Sequence, residues 1–238
     1  MIKSSVEENS CSKCSTTDCF IKQFCSSEYI TLISDLKETS IYRENQYIAH
    51  EGNAVLGLFF IQKGKAKVIS SGLGGKTQVV RLTKQGDLIG HRGYGDEKYP
   101  IGAIALEEST ICFIDNDTIY KAFIDNPLLT YELMMYYSKE LRKSESKVKS
   151  QAQMNVREKV ADALSYCNSL FNETKRYPFL VKLNRLDLAD LAGINTEQLS
   201  RVLSELKKDE IISVSKNEIL ITNKDLLDKI ISPFGIME

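Results

Sequence analysis

This chain lacks most of what a membrane protein, a secreted protein or a hydrolytic enzyme requires. No stretch approaches the roughly 18 to 20 apolar residues needed to cross a bilayer. The opening MIKSSVEENS holds no apolar run of the kind a secretory signal needs. Charge is almost balanced, at 31 Lys+Arg against 32 Asp+Glu, so the chain as a whole advertises neither an acidic nor a basic partner. Histidine occurs only at His50 and His91, and no Ser/His/Asp set, P-loop or paired-carboxylate signature stands out. A cytoplasmic protein without membrane segment or enzymatic signature is the expectation. Its 238 residues, 42% hydrophobic and 26% charged, suit one large or two small soluble domains.

Cysteine, in contrast, is concentrated. Cys11, Cys14, Cys19 and Cys25 fall in CSKCSTTDCFIKQFC, and Cys112 stands far downstream in ALEESTICFID. In a reducing compartment such thiols are metal ligands or reactive groups rather than disulfides. An iron–sulfur cluster, a structural zinc ion and a small electron carrier all fit that pattern. Cys167 lies beside Leu164 and Leu170 on the apolar side of its segment and reads as a packing residue.

The fold class is α+β, in three zones after a cysteine-rich segment over 1–27. A short helix near Glu28–Leu36 opens a β-rich region, 28–126 as a domain. From about Tyr42 to Asp115, short runs such as GLFFIQ, KAKVIS and TQVVRL alternate with glycine turns, which argues for a sandwich or rolled barrel. Phe59, Ile61, Ala66, Val68, Val79, Leu82, Leu88 and Ile89 supply its inward faces, and Lys63, Lys65, Lys67 and Lys84 stay in water. The domain over 127–152 is one long helix, with Pro127 in its first turn and no later glycine or proline to break it. Met134, Tyr137, Leu141, Ser144, Val148 and Gln151 recur at three- and four-residue spacing, as in a dimer seam. The seam turns polar in its second half.

Residues 153–238 read as a winged helix-turn-helix. VREKVADALSYCNSLF is one amphipathic helix, and LDLADLAGINTEQLSRVLSELKKDEI holds two more around Gly193. Asp187 is the expected N-cap of the first and Thr196 with Glu197 the start of the second. IISVSKNEILI supplies two strands of a wing around Lys216–Asn217. Thr196, Glu197, Gln198, Ser200 and Arg201 face away from the apolar side of the second helix, where a recognition helix meets base edges. The region carries 12 Lys+Arg against 13 Asp+Glu, so phosphate contact depends on a local face. Lys182, Arg185, Arg201, Lys207, Lys208 and Lys216 are its candidates.

A β-roll of the cyclic-nucleotide-binding kind, a long dimerisation helix and a C-terminal winged helix together resemble the CRP/FNR family of bacterial regulators. GDLIG at 86–90 and LADLAGINTEQLSRVLSELKKDEII carry that resemblance along nearly the whole chain. DCFIKQFC at 18–25 and ALEESTIC at 105–112 resemble the cluster-binding segments of the FNR, or anaerobic, branch. The resemblance implies an oxygen-labile [4Fe–4S] cluster on Cys14, Cys19, Cys25 and Cys112, with Cys11 as alternative to Cys14 and zinc as alternative metal. It implies double-stranded DNA, RNA polymerase and a second copy of the chain as partners. Glu197, Ser200 and Arg201 match the triplet with which that branch reads TTGAT-N4-ATCAA. One departure is real: four residues separate Cys14 from Cys19 where the branch has two. The longer loop costs little in closure entropy. The cyclic-nucleotide branch fits worse, because Gly90–His91 replaces its Gly-Glu and no arginine stands in Pro100–Ala103 to meet a cyclic phosphate. The family's haem sensors need an axial ligand, and a lone histidine such as His50 or His91 is more often a turn or core residue.

Overall fold

The computed structural model describes residues 10–215 and 218–232. They form two compact units, one from the chain up to Lys76 with Val80–Ser138, the other from Thr77–Val79 with the chain from Lys139 onward. The first holds α1 (Phe20–Phe24) and α2 (Ser27–Leu36), then β1 (Glu38–Tyr42), β2 (Tyr47–Ala49), β3 (Gly57–Lys63) and β4 (Lys65–Ser71). β5 (Thr77–Lys84), β6 (Leu88–Ile89), β7 (Gly102–Ala105) and β8 (Ser109–Asp115) follow, then α3 (Asn116–Asp125) and the start of α4 (Pro127–Gln153). The strands make two four-stranded sheets, ordered β1-β8-β3-β6 and β2-β7-β4-β5.

Small residues let the sheets approach. Ala49, Ala66, Ala103 and Ala105 of the second sheet meet Ile61, Ile89 and Ile111 of the first. The other face of the first sheet is also covered: Leu58, Phe60, Leu88 and Ile114 share a core with Ile21 of α1, Ile33 of α2, Ile119 and Ala122 of α3, and Leu129 and Leu133 of α4. This corrects the simple alternation expected for β3, where Leu58 and Phe60 are buried as well as Ile61, and Phe59 is only half-buried. Lys67, expected in water, is buried at 8% exposure because β4 is covered on both faces, whereas Lys63 is exposed. The strand region also begins earlier than Tyr42, at Glu38, and α3 intervenes before the long helix.

Gly90 takes a left-handed conformation, φ +89°, and delivers His91 into the interior at 1% exposure. The imidazole meets the ring edges of Tyr136 and Tyr137 of α4 at centroid distances of 5.2 and 5.5 Å. Tyr137 donates its hydroxyl to the His91 carbonyl. Burial, aided by Arg81 and Arg92, pushes the ring down to about 3.

The second unit continues α4 and adds α5 (Val156–Phe171), β9 (Phe179–Val181), α6 (Arg185–Ala192), α7 (Thr196–Lys208), β10 (Ile212–Ser215), β11 (Glu218–Ile221) and α8 (Lys224–Ile231). Leu164 and Cys167 of α5, Leu188 and Leu191 of α6, Leu199, Val202 and Leu206 of α7, and Leu227 of α8 are all buried at 3% exposure or less. β9 and α8 go beyond the two-stranded close expected, since β9 completes a sheet ordered β10-β11-β9. The hairpin turn at Lys216–Asn217, and with it the Lys216 candidate, lies outside the described residues. Asp187 does not cap α6. Asn184 does, accepting from the Asp187 backbone N–H at 2.8 Å and donating its amide to the Asp187 carboxylate at 2.8 Å. The helix therefore starts one turn earlier, with Gly193 as its left-handed stop at φ +67°.

The buried His91 gives stability a pH signature. Its folded pKa lies below its unfolded value, so the unfolded chain takes the proton first and stability falls as pH drops through about 6.5. Between pH 6.5 and 5 the wild type should lose about 1–2 kcal/mol relative to His91→Phe. Urea midpoints of both proteins across that window measure it.

Candidate metal centre and nucleic-acid interface

The five-residue gap between Cys19 and Cys25 is a single short helix. Cys19 is the N-cap of α1 and Cys25 its C-cap, with the Cys25 N–H closing on the Ile21 carbonyl at 3.0 Å. Ile21, at 2% exposure, anchors the helix, and Cys19, Cys25 and Cys112 all border the core it enters. Cys112 is on β8, opposite Thr39 of β1 and Phe60 of β3.

Cys14 reaches this group through one side chain. The Gln62 amide donates to the Cys14 sulfur at 3.6 Å and accepts from the Cys112 thiol at 3.8 Å. Thr16 ties the intervening loop to the Gln62 carbonyl at 2.7 Å, and Lys22 holds the Cys14 carbonyl at 2.8 Å. Cys11 is buried, its N–H bonded to Ser34 of α2 at 2.8 Å.

The thiols stand in one another's electrostatic field. Cys112 and Cys19 act on Cys11, Cys14 acts on Cys19 and Cys112, and Cys19 and Cys11 act on Cys25. Burial raises Cys11, Cys19 and Cys112 and pushes Cys25 up to about 12. Cys14 differs: burial opposes ionisation, but hydrogen bonds from Thr16, with Lys22 and Gln62, outweigh it and hold the thiol below its usual value. Among the described residues no three His, Cys, Asp or Glu side chains are grouped closely enough to grip a single metal ion. As a donor set, three free thiols bordering one apolar core, with Cys14 joined to Cys112 through Gln62, have the chemistry that iron–sulfur clusters use. Cys167, on α5 of the second unit, is fully buried and pushed up to about 12.

On α7, Glu197 and Arg201 are exposed and Ser200 half-buried, at the i, i+3 and i+4 spacing that shares one helix face. Thr196 is exposed, and its carbonyl accepts from Ser200 at 2.8 Å. Gln198 is committed elsewhere, closing a capping box with Asn195. Lys207 donates to the Val214 carbonyl of β10 at 3.3 Å, and Arg185, in the first turn of α6, is half-buried. Sequence reasoning missed Arg157 of α5, which clamps α7 through Glu205 at 3.5 Å and Asp209 at 2.6 Å. It also missed Gln62 and Lys37, because contacts that depend on distant pairing leave no local signal.

The expected dimer seam divides. Met134, Leu141 and Val148, seven apart, are exposed at 58%, 61% and 71%. Tyr137 turns to His91, Ser144 is half-buried, and Gln151 donates to the Ala192 carbonyl at 3.3 Å. The outward stripe is therefore the 134/141/148 set, and the alternate positions face their own chain.

Thiol reactivity follows these environments. In metal-free, fully reduced protein at pH 8, iodoacetamide should modify Cys14 first, Cys25 far more slowly and Cys167 only after unfolding. Site-resolved mass spectrometry of a labelling time course measures this order.

Comparison with known proteins agrees with the architecture. A profile of the cyclic nucleotide-binding domain matches residues 40–126, and one of the Crp-like helix-turn-helix domain matches 158–230. The fumarate and nitrate reduction regulatory protein of Vibrio cholerae is 26% identical over 214 residues, covering 87% of this chain and 86% of that protein. The anaerobic regulatory protein of Bacillus subtilis is 24% identical, covering 84% and 85%. Among solved structures, FixK2 from Bradyrhizobium japonicum aligns with a TM-score of 0.71 at 19% identity, over 82% of this chain and 96% of that one. The global regulator CLP of Xanthomonas campestris aligns at 0.74 and 16% identity, over 83% and 100%. No helix among the described residues is long and apolar enough to cross a membrane. With its β-roll, long helix and winged helix-turn-helix, the chain is a DNA-binding transcription regulator of the CRP/FNR family and not an enzyme.

Proposed function

We propose that this regulator senses oxygen or nitric oxide through a [4Fe–4S] cluster on Cys14, Cys19, Cys25 and Cys112, and binds TTGAT-like inverted repeats as a homodimer. The observation that carries the reading is the shared core: the helix between Cys19 and Cys25 and the start of α4 bury their apolar residues together. Gln62, joining Cys14 to Cys112, favours Cys14 over Cys11 as the fourth ligand. Bound there, a cluster would supply an oxygen-labile crosslink between the N-terminal segment and β8.

The chain's own residues carry the rest. Ser26 donates its N–H to the Asn126 side chain at 2.9 Å, one residue before α4, and Tyr29 bonds Asp125. Phe20 meets Tyr136 edge to face at 6.2 Å. A change at α1 is therefore felt where α4 begins. Along α4, Met134, Leu141 and Val148 form a short apolar seam flanked by Lys143, Glu145 and Lys147, so dimerisation stays responsive to small shifts. A dimer carries two α7 helices, the number an inverted repeat requires. Glu197, Ser200 and Arg201 read bases, and Thr196, Arg185 and Lys207 border that face. Activation then runs through contact with RNA polymerase.

Anaerobic isolation with iron, sulfide and visible-absorption assays tests the cluster, and metal analysis for zinc tests the rival staple. Protein reconstituted without oxygen should bind a TTGAT-N4-ATCAA duplex with steep salt dependence and lose that binding in air. Cys112→Ser should abolish both the visible band and DNA binding, while Arg201→Ala should keep the band and lose about 1–3 kcal/mol of discrimination at one base pair. Zinc in place of iron, or binding indifferent to air, would overturn the sensor reading and leave the DNA reading intact.

A further inference from the structure

Lys37 is an uncommon residue in its setting: a lysine at 9% exposure beside two thiols. Its backbone is fixed, because its N–H closes the end of α2 on the Ile33 carbonyl at 2.9 Å. The side chain then runs inward. The ammonium lies 2.9 Å from the Thr39 hydroxyl and 3.7 Å from the Cys112 sulfur, and its charge acts on Cys11 as well. Thr39 itself stands 3.7 Å from the same sulfur, and the Gln62 amide oxygen 3.8 Å from it. Cys112 is thus met by an ammonium from the end of α2 and by two polar side chains, Thr39 of β1 and Gln62 of β3.

We propose that Lys37 is a positioning residue for the thiol centre: its ammonium is the fixed counter-charge and hydrogen-bond donor for the Cys112 sulfur, and so sets the potential and retention of a bound cluster. This rests on the cluster reading above. Four thiolates leave such a centre net negative, and hydrogen bonds to its sulfurs, local charge and burial are what tune its potential. A buried ammonium favours the more reduced, more negative state. Desolvation strengthens its grip, because little water competes for either partner. Lys22 makes its hydrogen bond to the Cys14 carbonyl and lends its charge to the Cys14 thiol, whereas the Lys37 ammonium lies within hydrogen-bond reach of the Cys112 sulfur itself.

The test uses full-length protein reconstituted anaerobically, as wild type, Lys37→Met and Lys37→Arg. Methionine keeps the length and bulk of the side chain and removes the charge; arginine keeps the charge. Spectroelectrochemical titration reads the cluster's reduction potential, and a ferrous chelator reads iron release. In Lys37→Met the potential should move to more negative values and iron should leave about tenfold faster, the size expected for losing a charged hydrogen bond. Lys37→Arg should return both toward wild type. Equal potentials and release rates in wild type and Lys37→Met would overturn the proposal, and a lowered thermal midpoint with an unmoved potential would assign Lys37 to packing alone. A wild type that takes up no iron fails differently: it removes the cluster reading, and this inference with it.

Discussion

Ile21 stands at 2% exposure on a helix of only five residues, and the core that receives it also holds Leu129 and Leu133 of α4. A helix this short has no stability of its own, since nucleation is unfavourable and propagation has no length over which to recover it. It persists because burying one isoleucine side chain contributes about 1.5–3 kcal/mol. Everything proposed for the thiols depends on that packing. Cys19 and Cys25 are the two ends of the helix, so their separation is fixed by one anchored side chain. Asn126 adds a polar tie to the same place, donating to the Ala122 carbonyl and accepting from Ser26.

The first sheet is the common wall. On one face it meets the second sheet through alanines and isoleucines; on the other it carries the helices and, along β8 and β3, Cys112 and Gln62. A strand covered on both faces transmits position well, because its side chains have no empty volume into which to relax. Cys112 is therefore held on this wall, and Cys19 and Cys25 border the same core. The DNA-binding unit obeys the same economy. Its helix α7 is held by a buried apolar stripe and by Arg157, while Glu197 and Arg201 stay exposed to solvent.

Much of this was legible in the sequence because the signals were local. The α5 boundaries, the glycine stop at Gly193, the long helix from Pro127 and the hairpin strands after Ile211 follow from periodicity, capping and turn residues over a few positions. The family resemblance, with its cysteine segments, came from contiguous motifs too. What failed did so for nonlocal reasons. Alternation along β3 was obscured because helices from both ends of the unit cover its outer face. The N-cap moved from Asp187 to Asn184 because both side chains can cap, and the reciprocal pair of bonds decided between them. Along α4, three- and four-residue spacing alone cannot tell which of two adjacent stripes turns toward the chain's own Gly90–His91 turn, where Tyr137 goes. Lys37, Gln62 and Arg157 carried no signal, each being defined by a partner on another element.

The central claim is that the thiols and the start of the long helix belong to one packed body, so that ligand state at the cysteines governs pairing along α4. Sedimentation velocity on anaerobically reconstituted protein, before and after air, tests it most directly. The account predicts a dimer that reverts to monomer as the visible band disappears, with Leu141→Asp monomeric in both states while retaining its iron. Identical sedimentation of the wild type before and after loss of the band would contradict it.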